Sequence, residues 1–374
     1  MDKRQSSLGA LGEEAMIDFY NGKRVFVTGH TGFKGAWLCR LLARAGARVT
    51  GYALEPPTNP SLFEQVGIAD GLRRHAIGDV GDFDMLRHDV MGDAAPQIVI
   101  HLAAQPLVRA SYRDPRKTYE TNVMGTVNVL EAVRDIGTVR SFVNVTTDKV
   151  YENREWFWGY REDENLCGGD PYSNSKSCSE LVTHSYRKSF FRSTDDECLT
   201  AISTARSGNV IGGGDYAQER IIPDCVRAAT AAKETVIRNP HSTRPYQHVL
   251  ECLYGYLLLA KTQYEDPDIE GAYNFGPNDE SCVTNWELAT LFCNAYGHGA
   301  SWRAGESGGP CEANFLKLDS SKSKTILGWK PRWGIKTAVE KVVEFAKANS
   351  DEARAGCVDR QIDEYLEAAE EDLR

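Results

Sequence analysis

Residues 25–35 read VFVTGHTGFKG, a buried-looking apolar run that breaks into Gly29, Gly32 and Gly35, spaced three apart. A continuous apolar, β-branched run fits a strand covered on both faces. Glycine permits a tight turn and close approach of backbone to a pyrophosphate, which rests on the N-terminus of the following helix. The next residues, AWLCRLLARAGA, put Leu38, Leu41 and Leu42 on one helical face and stop at Gly46. Three glycines alone are a weak signal in a chain with 33 of them. Strand–turn–helix context makes them a dinucleotide-binding expectation, with Gly29, Thr31, Gly32, Phe33 and Gly35 as contacts.

Outward from this unit the texture repeats. RVTGYAL (48–54), QIVIHLA (97–103) and SFVNVTT (141–147) read as strands, and TNVMGTVNVLEAVRDIG (121–137) and Tyr172 to about Phe190 read as helices. Strands alternating with helices predict an α/β fold, a Rossmann-type doubly wound parallel sheet. Beyond residue 200, TAISTARSGNVIG (200–212) reads as a strand followed by a glycine-rich loop; loops, short helices and Arg-bearing turns then dominate, with AYNFGP (272–277) returning to the sheet. The expected division is 20–200 for the cofactor half, with returning strands near 201–210 and 272–277. Residues 211–350 form a smaller C-terminal substrate-binding lobe, and 351–374 a helical tail. Residues 1 to about 18 read as a mobile leader with weak helical character from Leu11 to Phe19.

Composition narrows the function. With 374 residues and 41% apolar content, the chain can bury a large core. A net charge of −10 argues against a nucleic-acid or anionic-membrane surface. The ten cysteines form no C-x-x-C pair and have no His at ligand spacing, so free thiols in a reducing cytoplasm and no metal site are expected. No apolar run approaches the length of a membrane span.

The chemistry concentrates in residues 146–176, TTDKVYENREWFWGYREDENLCGGDPYSNSK. Tyr172 and Lys176 are four apart, so a helix puts them on one face. Lys176 can hold the nicotinamide ribose and lower the Tyr172 pKa as a nearby cation. Tyr172 can then take a hydroxyl proton while hydride leaves the same carbon. Thr146 and Thr147 end a strand at the carboxyl edge, where open α/β sheets hold ligands, and Asp148 and Lys149 follow. A Thr hydroxyl there can bond a substrate hydroxyl, whereas an acid beside it serves a step that simple hydride transfer does not need. No Arg occurs in GYALEPPTNP to accept a 2′-phosphate, which favours NAD. Glu55 reads equally as a ribose contact or a surface acid. Asp79, with Val80 in GDVGD (78–82), reads as an adenine contact or a turn residue. The small residues of HLAAQ (101–105) would let backbone approach the cofactor at Leu102, Ala103 and Ala104, and Gln105 reads as a substrate contact. Asn122 orders the nicotinamide surroundings or caps the 121–137 helix.

These residues resemble the extended short-chain dehydrogenase/reductase superfamily, whose glycine spacing is G-x-x-G-x-x-G, and more closely the nucleotide-sugar 4,6-dehydratases. The resemblance runs from about 22 to about 345 and includes GHTGFKG, HLAAQPLVRASY, TTDKVYENREWFWGYRE, RSGNVIGGGDYAQERIIPD and IRNPHSTRPYQHVLE. It implies oxidation at glucosyl C4, loss of water across C5 and C6, and return of hydride to C6. Tyr172 would be the C4 base with Lys176 its partner, Thr147 would orient substrate, and Asp148 would protonate the departing C6 hydroxyl. Many family members have Glu after that Asp; Lys149 stands here, as expected for the branch acting on CDP-D-glucose. Lys149 is then the C5 base or a stabiliser of the enolate. Asn209, Arg220 and Arg244 would bind the substrate pyrophosphate, where planar guanidinium donors fit phosphate oxygens. Glu312 would touch the cytidine or ribose. The resemblance also implies a homodimer or dimer of dimers, formed through helices 121–135 and 172–190. A 4-epimerase shares fold, cofactor and Tyr–Lys pair but has no need of Asp148, and a redox-sensing binding module has no need of the four site residues together.

Overall fold

The computed structural model describes residues 14–191, 200–305 and 314–371. Twelve strands occur among them: β1 (Arg24–Thr28), β2 (Arg48–Ala53), β3 (Arg74–Ile77), β4 (Ile98–His101), β5 (Ser141–Val145), β6 (Ala201–Ser207), β7 (Asn209–Ile211), β8 (Thr235–Ile237), β9 (Thr243–His248), β10 (Ala272–Phe275), β11 (Cys282–Thr284) and β12 (Trp302–Ala304). Seven form one sheet in the order β10-β6-β5-β4-β1-β2-β3, every pair parallel. This is the doubly wound sheet expected, and 272–275 returns to its edge beside β6. The chain reverses its order of winding between β1 and β4, which are neighbours, so a crevice opens at their carboxyl ends.

Val25 and Val27 face one apolar core and Phe26 the other, the period-2 alternation of a strand covered on both sides. The helix Phe33–Arg44 buries Leu38, Leu41 and Leu42 as predicted, and Trp37 and Cys39 as well. Its outer face is covered because the tail helix Asp351–Glu371 lies across it, with Asp359 taking Arg40 Nε at 2.7 Å and Nη2 at 2.6 Å. A third core, built on Ile222, Ile237, Leu288, Phe292 and Val342, belongs to the chain beyond residue 210. There β9 pairs parallel with β7 and antiparallel with β11.

Several expected boundaries move. The 200–212 run is two strands, since β7 leaves the main sheet at Gly208 to join β9. The 121–137 helix begins as a π-turn over Glu120–Met124 and is α-helical only over Gly125–Ile136, ending at Gly137 with φ +66°. Residues 1–13 of the expected leader lie outside the described residues, and its remainder falls in the stretch where helical character was expected. Glu14–Tyr20 is helical and Tyr20 donates to Leu257 O at 2.6 Å from a buried position. Among the described residues no helix is long and apolar enough to cross a membrane, and the eight described cysteines are all free.

Glu251, on the helix Val249–Glu265, clasps the end of the molecule. Its carboxyl accepts the N–H groups of Arg332 and Trp333 and the Tyr365 hydroxyl. Burial pushes its pKa up to about 7 against those bonds. A carboxyl that keeps its proton in the folded state to higher pH makes stability fall as pH rises from about 4.5 to about 7. Glu251→Gln keeps an acceptor and carries no charge. It is expected to shrink the difference in melting temperature between pH 5 and pH 8; an unchanged difference contradicts the assignment.

Candidate active site

The site is assembled where β1, β4, β5 and β6 stop. Gly29 takes φ +74°, and a Cβ there would lie 2.7 Å from Ala103 N. A Cβ on Gly35 would lie 2.1 Å from Gly29 O. Both are glycine because backbone meets backbone. Gly32 is different: the nearest atom to its Cβ position is Gly29 O at 3.4 Å, so the protein itself leaves room. Gly32 precedes the helix Phe33–Arg44 and no side chain caps it, so the first N–H groups stay available to an anion. These features fit a dinucleotide pyrophosphate. Thr31 Oγ1 donates to Leu54 O at 2.8 Å, fixing the turn to the end of β2. Phe33 is half-buried against the core. Thr28 Oγ1 accepts the N–H groups of Leu102 and Ala103, each at 3.1 Å, which shapes the loop that continues through Ala104.

Asp79 accepts the Gly81 N–H at 2.8 Å and pairs with Lys117 at 2.9 Å; burial raises its pKa, but those two partners outweigh it and hold the carboxyl low. Its carboxylate braces the turn beyond β3, where it was expected. Val80 is buried against Gly125. Glu55 lines a surface cavity of about 390 Å³ with Pro56, Pro57, Thr58, Asn59 and Glu64.

Asp170 caps the helix Pro171–Phe190, accepting Ser173 N at 3.0 Å, and so sets where Tyr172 and Lys176 stand. Lys176 Nζ donates to Val145 O at 3.0 Å, which brings the helix face onto the end of β5. Burial pushes the Tyr172 phenol up to about 12, against a hydrogen bond with Thr147 and the nearby Arg220 charge. Burial, then the charge of Lys34, brings the Lys176 ammonium down to about 8, with Glu180 opposing. Thr147 Oγ1 donates to Asp148 Oδ1 at 3.0 Å and accepts the Lys149 N–H at 3.4 Å. Asp148 is buried, and its Oδ2 has no hydrogen-bond partner. Burial raises its pKa while Lys149, Thr147, Arg244 and Lys34 work against the rise. Lys149 is half-buried beside it.

Of the expected substrate contacts, Arg244 lies on β9 and its charge reaches Asp148. Arg220 pairs with Asp215 at 2.9 Å and its charge reaches Tyr172. Asn209 opens β7, half-buried and paired in register with Tyr246. Gln105 departs from expectation: its side chain is spent within its own loop, accepting Leu107 N at 2.7 Å and donating to Thr118 Oγ1 at 3.0 Å. Asn122 is no helix cap; it accepts Gln105 N at 2.8 Å and donates to Ser175 Oγ at 2.9 Å, joining loop to helix. Glu312 lies outside the described residues. Among those residues no group of three or more His, Cys, Asp or Glu is placed to hold a metal ion.

The profile of the GDP-mannose 4,6-dehydratase family matches residues 26–342. The chain belongs to that family. It is 48% identical over 358 residues, 94% of this chain and 99% of the relative, to the CDP-glucose 4,6-dehydratase of Salmonella typhimurium. A dTDP-glucose 4,6-dehydratase of Bacillus anthracis, solved with NAD, shares the fold with a TM-score of 0.71 at 21% identity, covering 86% of this chain and 95% of its own. A Bacillus cereus UDP-glucuronic acid 4-epimerase, solved with UDP-glucuronic acid and NAD, does so with 0.72 at 24%, covering 86% and 98%.

Two features of the site escaped the sequence. Lys34, inside the glycine turn, is half-buried and donates to Ser207 Oγ at 3.1 Å, which in turn shares a hydrogen bond of 2.6 Å with Tyr256. An ammonium on an otherwise apolar helix start was the available signal. Glu180 and Arg206 form a buried pair behind Lys176. Glu180 continues the Tyr172–Lys176 stripe by one more helical turn, which the spacing alone displays.

The glycines separate stability from binding. Gly32→Ala is expected to keep the melting temperature within a few degrees while weakening NAD binding tenfold or more. Gly35→Ala is expected to cost about 2 kcal/mol or more of stability. Calorimetry and NAD titration check both; a Gly32→Ala protein with unchanged NAD affinity contradicts the cradle.

Proposed function

We propose that this chain dehydrates CDP-D-glucose to CDP-4-dehydro-6-deoxy-D-glucose with NAD as bound cofactor. The observation that carries the reading is the buried Asp148 carboxyl oxygen, free of any hydrogen-bond partner, one residue from Thr147 and across from the Tyr172–Lys176 face. A hydride-transfer site alone has no use for it. The identity of the nucleotide rests on the relative at 48%. Gly29, Thr31, Gly32, Phe33, Gly35, Asp79, Val80, Leu102, Ala103 and Ala104 would line the cofactor, with Lys176 at its nicotinamide ribose. Bound there, NAD supplies the oxidant for C4 and the hydride returned to C6.

The side chains manage protons. Tyr172 takes the proton of the C4 hydroxyl, with Thr147 orienting that hydroxyl and Lys176 stabilising the phenolate. The resulting 4-ketone acidifies the C5 proton. Lys149 would remove that proton as the free amine, or as the ammonium stabilise the enolate, and Asp148 gives its own proton to the C6 oxygen as the C6–O bond breaks and water leaves. Burial suits Asp148 to this, because a carboxyl with raised pKa keeps a proton to donate. Arg220, Arg244 and Asn209 would hold the substrate pyrophosphate. Residues 20–200 with the returning strands serve as the cofactor half and 211–350 as the substrate lobe. Gln105 then supports its loop rather than substrate.

We place the enzyme in the cytoplasm, which suits its free cysteines. We also take it as a homodimer through the helices near 121–135 and 172–190, where Met124 and Leu181 are about half exposed. Sedimentation is expected to show a dimer or larger at micromolar concentration; monomer alone contradicts it.

Incubation with NAD and CDP-, UDP- or dTDP-glucose, read by the alkaline absorbance of a 4-keto-6-deoxy sugar, tests the function. Product from CDP-glucose alone is expected. Product from another nucleotide sugar discards the CDP assignment, and a C4-inverted hexose discards the dehydratase. Asp148→Asn is expected to lose about 10²-fold or more in product formation. Lys149→Met is expected to slow exchange of the C5 proton, and full-rate exchange rules out Lys149 as base.

A further inference from the structure

Behind the Tyr172–Lys176 face lies an ion pair that the proposed chemistry does not use. Glu180 and Arg206 are both about 3% exposed at their side chains and meet through two parallel bonds of 2.9 Å, Nε to Oε1 and Nη2 to Oε2. Two further donors complete the carboxylate. Thr146 Oγ1 reaches Oε1 at 2.5 Å and Thr204 Oγ1 reaches Oε2 at 2.6 Å. Arg206 also donates to the Tyr151 hydroxyl at 2.8 Å, and that hydroxyl donates to Asn274 Oδ1 at 2.8 Å. One carboxylate thus joins the helix Pro171–Phe190, the residue after β5, and β6.

Placement gives the pair its meaning. Thr146 immediately precedes Thr147 and Asp148. Glu180 stands one helical turn beyond Lys176 and two beyond Tyr172 on the same face. An ion pair this deep is rarely a net gain in stability over apolar residues of similar shape, so its expense points to a role at the site. We propose that Glu180, held by Arg206, is a positioning residue. It locks the strand end bearing Thr147 and Asp148 to the helix bearing Tyr172 and Lys176, and it holds a negative charge beside the Lys176 ammonium. This rests on the proposed hydride-transfer role of Tyr172 and Lys176 and adds the group that orders them.

The charges that bear on Lys176 are few. Glu180 lies on its own helix with the Arg206 guanidinium of β6 bonded to it, Lys34 comes from the glycine turn, and His101 from β4. Burial and Lys34 favour the neutral amine, and Glu180 opposes both. His101, which burial brings down to about 3, is neutral and adds no charge. Removing Glu180 therefore makes Lys176 lose its proton at lower pH.

The test compares wild type, Glu180→Gln and the double variant Glu180→Gln/Arg206→Met. The double variant leaves no uncompensated guanidinium and so stays foldable where the single variant does not. Trace acetylation with acetic anhydride, quantified by peptide mass spectrometry across pH, reads Lys176 directly and without turnover. The wild-type midpoint is expected near 8; in Glu180→Gln it is expected to fall by about one pH unit, and in the double variant, which also loses the Arg206 charge, by less. With CDP-glucose, kcat is expected to drop about tenfold or more while KM stays within about threefold. A wild-type midpoint together with a wild-type kcat in the folded double variant overturns the proposal. A wild-type protein that makes no keto sugar overturns the proposed function instead, and the acetylation midpoint still decides whether Glu180 sets the charge of Lys176.

Discussion

At Gly29 two backbones approach more closely than any side chain permits. A methyl group there would lie 2.7 Å from the Ala103 amide nitrogen, so the end of β1 and the loop after β4 can meet only through glycine. The Thr28 hydroxyl then takes both N–H groups of that loop and holds it to one side. The crevice between the two strand ends stays open as a result. Because β5 and β6 continue the same parallel sheet beside β4, their ends face the same crevice. Thr147, Asp148 and Ser207 therefore stand at the same edge of the sheet as that contact.

Burial then acts on every ionisable group at this edge, in favour of the proposed task of Asp148 and against those of Tyr172 and Lys176. Removing water disfavours every charged form, so it raises the Tyr172 phenol and the Asp148 carboxyl and lowers the Lys176 ammonium. For Asp148 the effect is useful directly, since an acid that retains its proton can give it to a leaving hydroxyl. For Tyr172 the same burial works against ionisation, and cations must offset it. Arg220 and the hydrogen bond with Thr147 pull in that direction. Burial thus favours the protonated form of Asp148, while the Arg220 charge and the Thr147 bond favour the Tyr172 phenolate against it.

Much of this was legible in the sequence because it is local. The 25–35 stretch carries its strand, turn and helix within one window, and Tyr172 and Lys176 share a helical face by spacing alone. What stayed hidden depends on partners far along the chain. Gln105 looked like a ligand contact, but its amide closes on Leu107 and Thr118. Asp79 is engaged by Lys117, 38 residues away. Arg206 read as part of a strand, and nothing within its own window reveals that its guanidinium meets Glu180. The helix Phe33–Arg44 looked one-sided, whereas the tail more than 300 residues later covers its other face. The split of 200–212 into two strands arises at Gly208, where a Cβ would lie 2.6 Å from Pro245.

The central claim is that the hydride taken from C4 returns to C6 of the same sugar after water has left through Asp148. Incubating the enzyme with CDP-glucose deuterated at C4 and locating the label by NMR tests it most directly. Deuterium is expected in the C6 methyl group of the 4-keto product. Deuterium back at C4 of an inverted hexose, or a product methyl group with none, would contradict it.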